Sequence, residues 1–277
     1  MGETAVIIGV GGMGEAIARR VGSGRDVLLA DSNPAALDRI ATALSDDGYS
    51  VTTQRVDVSD RDSVIELAGR AGSLGSVAHV AHTAGLSPEQ ADVAAVLDVD
   101  LISVANSLDE FGAVIAPGGS GVVISSMAGW LVAGRMSAEE ETALALTPTA
   151  ELLSLPMLRG LSDSGAAYGI AKRANQLRVS AASPIWGRRG GRINSISPGV
   201  ISTPMGQQEL SGESGEAMRA MIDGSGTGRI GTPSDIAAAA AFLLGPETSF
   251  ITGADLLVDG GVVGSVRGGV SVPGDES

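Results

Sequence analysis

Short runs of aliphatic and β-branched residues alternate along this chain with longer amphipathic stretches. Ala5–Gly9 reads as a strand and Gly14–Val21 as a helix. Val27–Asp31 and Pro34–Leu44 repeat the pair, as do Val51–Val58 and Asp62–Gly69. A strand at Val77–His82, a long helical region at Pro88–Phe111, a strand at Gly121–Ser126, a helix at Ala166–Ser180 and a strand at Arg192–Ile196 follow. A helix at Pro233–Leu244 and a strand at Asp255–Val258 close the series. Nearly continuous apolar strands joined by helices predict an α/β fold, a doubly wound parallel sheet with right-handed crossovers. Residues 1–277 read as a single domain.

One segment, about 130–165, breaks the rhythm. It is polar and then leucine-rich, and Ser137 ahead of Glu139, Glu140 and Glu141 marks an acidic helix start. It reads as a helical insert of one or two helices. Gly190–Gly191 and Gly212–Gly228 read as loops, and the glycine-rich tail after Gly261 as a poorly ordered end.

Composition narrows the function. Aromatic residues are 3% of the chain, so the core is expected to be Ala, Val, Ile and Leu. The net charge of -14 and the lack of a basic cluster argue against nucleic acid and against a membrane surface. There is no cysteine, which removes disulfides, thiolate metal sites and thiol catalysis. The two histidines, His79 and His82, lie in one strand-like run, and no metal site is expected from them. Ala5–Ile8, close to the start, is too short for a signal core or a membrane span, which leaves a cytoplasmic protein as the expectation.

Gly9-Val10-Gly11-Gly12-Met13-Gly14 fits G-x-G-x-x-G between a strand and a helix. Glycine there allows a tight turn, close approach of a pyrophosphate, and free N–H groups at the helix start. Together with the strand pattern this predicts a Rossmann fold that binds a dinucleotide. Asp31, beside Ser32, ends the second strand at the distance expected of a ribose-binding carboxylate. No Arg or Lys follows in Ser32-Asn33-Pro34. The carboxylate repels a 2′-phosphate, so the expected cofactor is NAD rather than NADP. An Asp31 that merely caps the next helix is the alternative, although Ser32 or Asn33 can serve that cap.

Tyr168 and Lys172 stand four residues apart and share a helix face. A phenol is a weak base at neutral pH, and an adjacent ammonium lowers its pKa toward use as a general acid/base. With this pair the chain resembles the short-chain dehydrogenase/reductase family over nearly its whole length. Ile124-Ser125-Ser126-Met127-Ala128-Gly129 looks like the segment that carries the family's catalytic serine, here Ser126. Asp57-Val58 resembles the adenine-contacting step, and Thr83-Ala84-Gly85 the Asn-Ala-Gly turn. Ser197-Pro198-Gly199-Val200-Ile201-Ser202-Thr203 resembles the segment that meets the nicotinamide, and Val258-Asp259-Gly260-Gly261 the family's ending.

The resemblance implies an NAD(H)-dependent oxidoreductase interconverting a secondary alcohol and a ketone. Tyr168 would exchange the proton, Lys172 lower its pKa and hold the ribose, and Ser126 bond the substrate oxygen. It also implies a homo-oligomer, dimer or tetramer, and a small-molecule substrate that the insert makes bulky and apolar. Three departures stand out. The glycine turn is one residue short, Thr83 replaces an asparagine and is expected to loosen a backbone bond, and Asp100 occupies the place of the family's fourth catalytic residue, an asparagine. The link from Ser126 to Tyr168 is also long, and its leucines can line a pocket, form a lid or pack on a subunit. An NAD(H)-binding sensor or scaffold without turnover, and a non-redox epimerase or dehydratase, remain as alternatives.

Overall fold

The computed structural model describes residues 2–89, 91–212 and 214–268. Strands β1 (Glu3–Ile8), β2 (Asp26–Asp31), β3 (Ser50–Arg55), β4 (Ser76–His82), β5 (Ile115–Ile124), β6 (Arg192–Pro198) and β7 (Asp255–Val258) form one parallel sheet. Its order is β3-β2-β1-β4-β5-β6-β7. The chain first builds outward from β1 to β3, then returns to place β4 on the other side of β1. This is a Rossmann-like doubly wound sheet, with its switch point between β1 and β4.

The first half of the chain contributes α1 (Gly12–Val21), α2 (Pro34–Asp46), α3 (Arg61–Leu74), α4 (Val93–Leu97) and α5 (Ser103–Val114). The second half contributes α6 (Met127–Val132), α7 (Ala138–Leu146), α8 (Ser164–Arg188), α9 (Pro204–Ser211), α10 (Gly215–Asp223), α11 (Pro233–Leu244) and α12 (Val262–Gly268). Successive strand residues face opposite sides. From β1, Ala5 and Ile7 bury against Ile17, Ile40 and Ile236 of α1, α2 and α11. Val6 and Ile8 bury on the other face, with Leu67, Phe111 and Trp186 of α3, α5 and α8. A chain so poor in aromatics still seats Trp186 in its core, where the indole N–H donates to the Leu108 carbonyl at 3.1 Å.

The structure shifts several expected boundaries. β3 ends at Arg55, so Asp57 and Val58 lie past the strand. The helix expected from Pro88 begins at Val93, and residues 98–102 form a π turn before α5. The expected loop Gly212–Gly228 contains α10, and the tail after Gly261 begins with α12. The rest of that tail, residues 269–277, lies outside the described residues. Beyond Val132 the irregular segment holds α7 and two short 3-10 turns, Thr149–Ser154 and Pro156–Leu158. Helix α7 starts at a capping box, with Glu140 N–H donating to Ser137 Oγ at 3.2 Å and Ser137 N–H to Glu140 Oε2 at 2.8 Å. Leu144, Leu152 and Leu158 bury against Leu97, Leu101, Ala171 and Ala174 of the π turn and helices α4 and α8. Among the described residues no helix is long and apolar enough to cross a membrane.

Candidate active site

The glycine turn follows directly from β1. Gly9 has φ of 92°, and a Cβ on it would stand 2.5 Å from the Ala84 amide nitrogen. A Cβ on Gly14 would meet the Gly9 carbonyl oxygen at 2.0 Å. Both positions therefore demand glycine, one for its backbone and one for close helix–strand packing. Gly11 differs, because a Cβ there meets nothing within 4 Å. It is the N-cap of α1 and supplies no side-chain cap, so the first N–H groups of that helix are left for a ligand. Thr83 does not loosen this region. Its hydroxyl donates to the Gly9 carbonyl at 2.7 Å and ties the end of β4 to the turn.

A cleft of about 410 Å³ opens above this turn. Gly9, Gly11, Gly12, Met13 and Gly14 line it, as do Asp31 and Ser32, Asp57 and Val58, Ala84 and Gly85, and Thr203. Twelve positions scattered through the sequence thus converge on one groove. The Asp31 carboxylate is held by Val10 N–H at 2.8 Å on Oδ2 and by Asn33 N–H at 2.9 Å on Oδ1. Asn33, not Asp31, caps α2. Asp57 accepts from the Ser59 hydroxyl at 2.6 Å and from its N–H at 3.0 Å, and these bonds hold its carboxyl below the usual range. Sequence reasoning missed Arg39, which lies on α2 and lines the same cleft as Asp31 and Ser32. The sequence carried no signal for it, since Asp31 ends a strand and Arg39 is an isolated charge on the following helix. An uncapped helix start, space at Gly11 and a fixed carboxylate at the far end suit a dinucleotide.

A second cavity adjoins the first, and Met13 and Thr203 line both. It contains Ser126 and Tyr168, with Pro198, Gly199 and Ile201 from the end of β6. Ser126 ends the β5 segment as N-cap of α6, accepting the Ala128 N–H at 3.1 Å. Below it, Gln176 Nε2 donates to the Ser126 carbonyl at 3.4 Å and to Ser197 Oγ at 2.9 Å. Ser197 donates to Asp255 at 3.0 Å, and Trp130 Nε1 donates to the same carboxylate at 2.6 Å. This network joins α6, α8, β6 and β7 beneath the serine.

Tyr168 and Lys172 lie one turn apart on α8, with the Lys172 Nζ 5.3 Å from the phenol ring centre. Lys172 is buried and lines neither cavity. Its ammonium is 2.9 Å from Asp100 Oδ1 and donates to the Ile124 carbonyl at 3.4 Å. Asp100 is fully buried in the π turn, and the Leu86 N–H reaches both its oxygens, at 3.1 and 3.3 Å. Asn175 Nδ2 satisfies the Asp100 carbonyl at 2.8 Å. Gly85 makes room for the pair, since a Cβ on it would stand 2.7 Å from Asp100 Oδ1.

Burial works against the Lys172 ammonium, but Asp100 and the phenol outweigh it and hold the ammonium above its ordinary range. Burial likewise pushes the Asp100 carboxyl up, against the pull of Lys172 and of the Leu86 N–H. The expectation that Lys172 brings the Tyr168 phenol below its usual value is not met. Burial raises it, Lys172 and a bond from Ser126 lower it, and the charges of Asp100 and Glu209 raise it again, for a net shift upward. Beneath Lys172, His82 sits between the hydroxyls of Ser107 at 2.9 Å and Ser103 at 3.2 Å. Burial, with Lys172 nearby, depresses it to about 3, so it is neutral. No cluster of metal-ligating side chains occurs among the described residues.

Comparison with known proteins bears on the family and the fold. Residues 3–138 match the short chain dehydrogenase family and residues 152–263 the enoyl-(acyl carrier protein) reductase family. The chain is 46% identical to a short-chain dehydrogenase/reductase of Alternaria brassicicola, over 94% of this chain and 96% of that protein. It is 30% identical to galactitol 2-dehydrogenase (L-tagatose-forming) of Cereibacter sphaeroides, over 94% of each. It is also 30% identical to 3-alpha-hydroxysteroid dehydrogenase/carbonyl reductase of Comamonas testosteroni, over 66% of this chain and 72% of that protein. Among solved structures, a variant of the actinorhodin polyketide ketoreductase with NADPH superposes with a TM-score of 0.74 at 22% identity, covering 95% of this chain and 97% of that one. A short-chain dehydrogenase/reductase from Serratia marcescens superposes with a TM-score of 0.71 at 23% identity, covering 95% and 98%. At those identities the structural likeness bears on the fold alone.

Proposed function

The chain belongs to the short-chain dehydrogenase/reductase family, oxidoreductases that bind a nicotinamide dinucleotide, and from that premise we propose that it interconverts a secondary alcohol and a ketone with NAD(H). The observation that carries the reading is the joining of the two cavities: Ser126 and Tyr168 stand in the one that opens directly off the nucleotide groove. The bound nicotinamide supplies or accepts the hydride.

In reduction, Tyr168 Oη donates its proton to the carbonyl oxygen as the carbon gains hydride, and the phenolate left behind recovers a proton from water. Ser126 Oγ donates to the same oxygen and stabilises the charge that develops on it. In oxidation the proton travels the other way. Lys172 acts on the phenol from below, and Asp100 fixes its position. The upward shift at Tyr168 leaves the phenol in its protonated form, the one that donates in reduction, so oxidation must first generate the phenolate. Asp31 supports NAD(H), because a 2′-phosphate beside its carboxylate is repelled, while Arg39 on the same wall offsets part of that repulsion.

The test is Tyr168→Phe, with cofactor binding followed by fluorescence and turnover by nicotinamide absorbance on a panel of ketones. The variant is expected to bind dinucleotide as the wild type does and to lose about 10²–10⁴-fold in turnover. Unchanged turnover rejects the assigned role. One observation favours a second reading, a nucleotide-binding protein without turnover: Lys172 is spent on Asp100 and is shut off from both cavities. That reading predicts dinucleotide binding with no turnover of any alcohol or ketone.

A further inference from the structure

The cavity beside Tyr168 has a wall that proton transfer alone does not call for. It encloses about 230 Å³. Met13, Met127, Met205, Met218 and Met221 line it, five of the eight methionines in the chain. Unbranched, polarisable thioethers mould to irregular apolar shapes. Among the described residues that line it there is no Lys, Arg or His, and the charged ones are Glu89 and Glu209.

The two carboxylates differ. Glu89 is exposed and accepts the Ser214 N–H at 3.2 Å, pinning the link between α9 and α10. Glu209, on α9, is half-buried. Its Oε1 accepts the Ser87 hydroxyl at 2.6 Å, and among the described residues no hydrogen bond reaches its Oε2. Its charge is felt at the Tyr168 phenol. An apolar cavity therefore holds, near the reacting centre, one carboxylate oxygen with no partner of its own.

We propose that Glu209 is a specificity-determining residue: the cavity takes an uncharged, largely apolar ketone or alcohol that carries a second hydroxyl, away from the reacting carbon, donating to Glu209 Oε2. The same carboxylate turns away substrates that bear a carboxylate or phosphate. This inference rests on the dehydrogenase reading above. An anion entering the cavity finds no counterion and meets like charge, which costs most where water is excluded. A hydroxyl makes a charge-assisted bond, and an analogue without it covers the carboxylate oxygen and leaves it unpaired.

The experiment uses three decalones, identical except for an ethyl, a hydroxymethyl or a carboxylate group on the distal ring, each with NADH and with NADPH. In the wild type kcat/KM is expected to be about tenfold or more higher for the hydroxymethyl than for the ethyl compound, and lower again for the carboxylate. Glu209→Gln should raise the carboxylate-to-ethyl ratio about tenfold and narrow the hydroxymethyl preference. Glu209→Asp, with its shorter reach, should lose the hydroxymethyl preference and keep the discrimination against carboxylate. Dinucleotide binding reports that each variant is folded. Flat ratios in the wild type, or ratios indifferent to Glu209→Gln, overturn this inference and leave the dehydrogenase reading standing. No turnover of any decalone with either cofactor overturns this inference too, and the dehydrogenase reading falls only if the wider panel of alcohols and ketones also fails.

Discussion

At Tyr168 burial and a neighbouring ammonium pull in opposite directions, and burial wins, with the charge of Asp100 working on its side. Removing that anion tests the balance. In Asp100→Asn the Lys172 charge is no longer neutralised, so the phenol pKa falls and the base needed for alcohol oxidation forms at lower pH. The rise of kcat/KM for oxidation with pH should move to lower pH, while a profile that stays put would show that the pair does not govern the phenol. Asp31 makes a separate residue-scale case. In Asp31→Ala the repulsion of a 2′-phosphate is gone and Arg39 remains, so the ratio of kcat/KM for NADH over NADPH is expected to fall about tenfold, equivalent to about 1.4 kcal/mol. A wild type indifferent to the phosphate, or a variant with an unchanged ratio, rules out the proposed preference. The glycine turn and Asp31 were legible from their spacing and Tyr168 from its four-residue offset to Lys172, whereas Ser126 was reached only through the family resemblance. Arg39 and Glu209 were not legible, because an isolated charge on a helix usually faces solvent, and only packing shows that these two line a cavity.

Among the elements, local signals that depend on near neighbours were readable. Ser137 with the acidic run after it marks the start of α7, and the structure completes the capping box there. The same kind of signal was present and unread at α9, where Thr203 caps and Pro204 takes the first turn. The apolar pattern of β3 runs on to Val56 and Val58, which are buried after the strand has ended. Burial and strand pairing are separate matters, and periodicity reports only the first. The segment between Ser126 and Tyr168 packs Leu144, Leu152 and Leu158 on α4, the π turn and α8, and of its described residues beyond α6 none lines the cavity that holds Tyr168. Leu152→Ala should therefore cost about 2–5 kcal/mol in chemical denaturation, with little change in dinucleotide affinity. A marked loss of affinity at full stability would instead tie this segment to the cleft.

For the whole molecule, sheet order decides where the chemistry sits. The reversal between β1 and β4 opens the groove at the strand ends, and β5, β6 and α8 close around its other half. A ligand that binds only the folded groove must stabilise the fold through mass action. NADH at one hundred times its dissociation constant is expected to add about 2.7 kcal/mol, seen as a rise in the thermal midpoint. NADPH at the same concentration should add less. Equal midpoints with both, and without either, would count against the groove as a dinucleotide site.

The order of apolar and polar residues was by itself enough to set alternating strands and helices, the glycine turn and the pairing of Tyr168 with Lys172 on one helix face. These depend on neighbours within a few turns, where backbone geometry alone dictates which side chains meet. Three outcomes were left to the tertiary structure: the surrender of Lys172 to Asp100, the upward shift of the phenol, and the methionine-lined cavity with Glu209 in its wall. Each depends on how far groups remote in sequence are withdrawn from water, and that withdrawal exists only after the elements have packed.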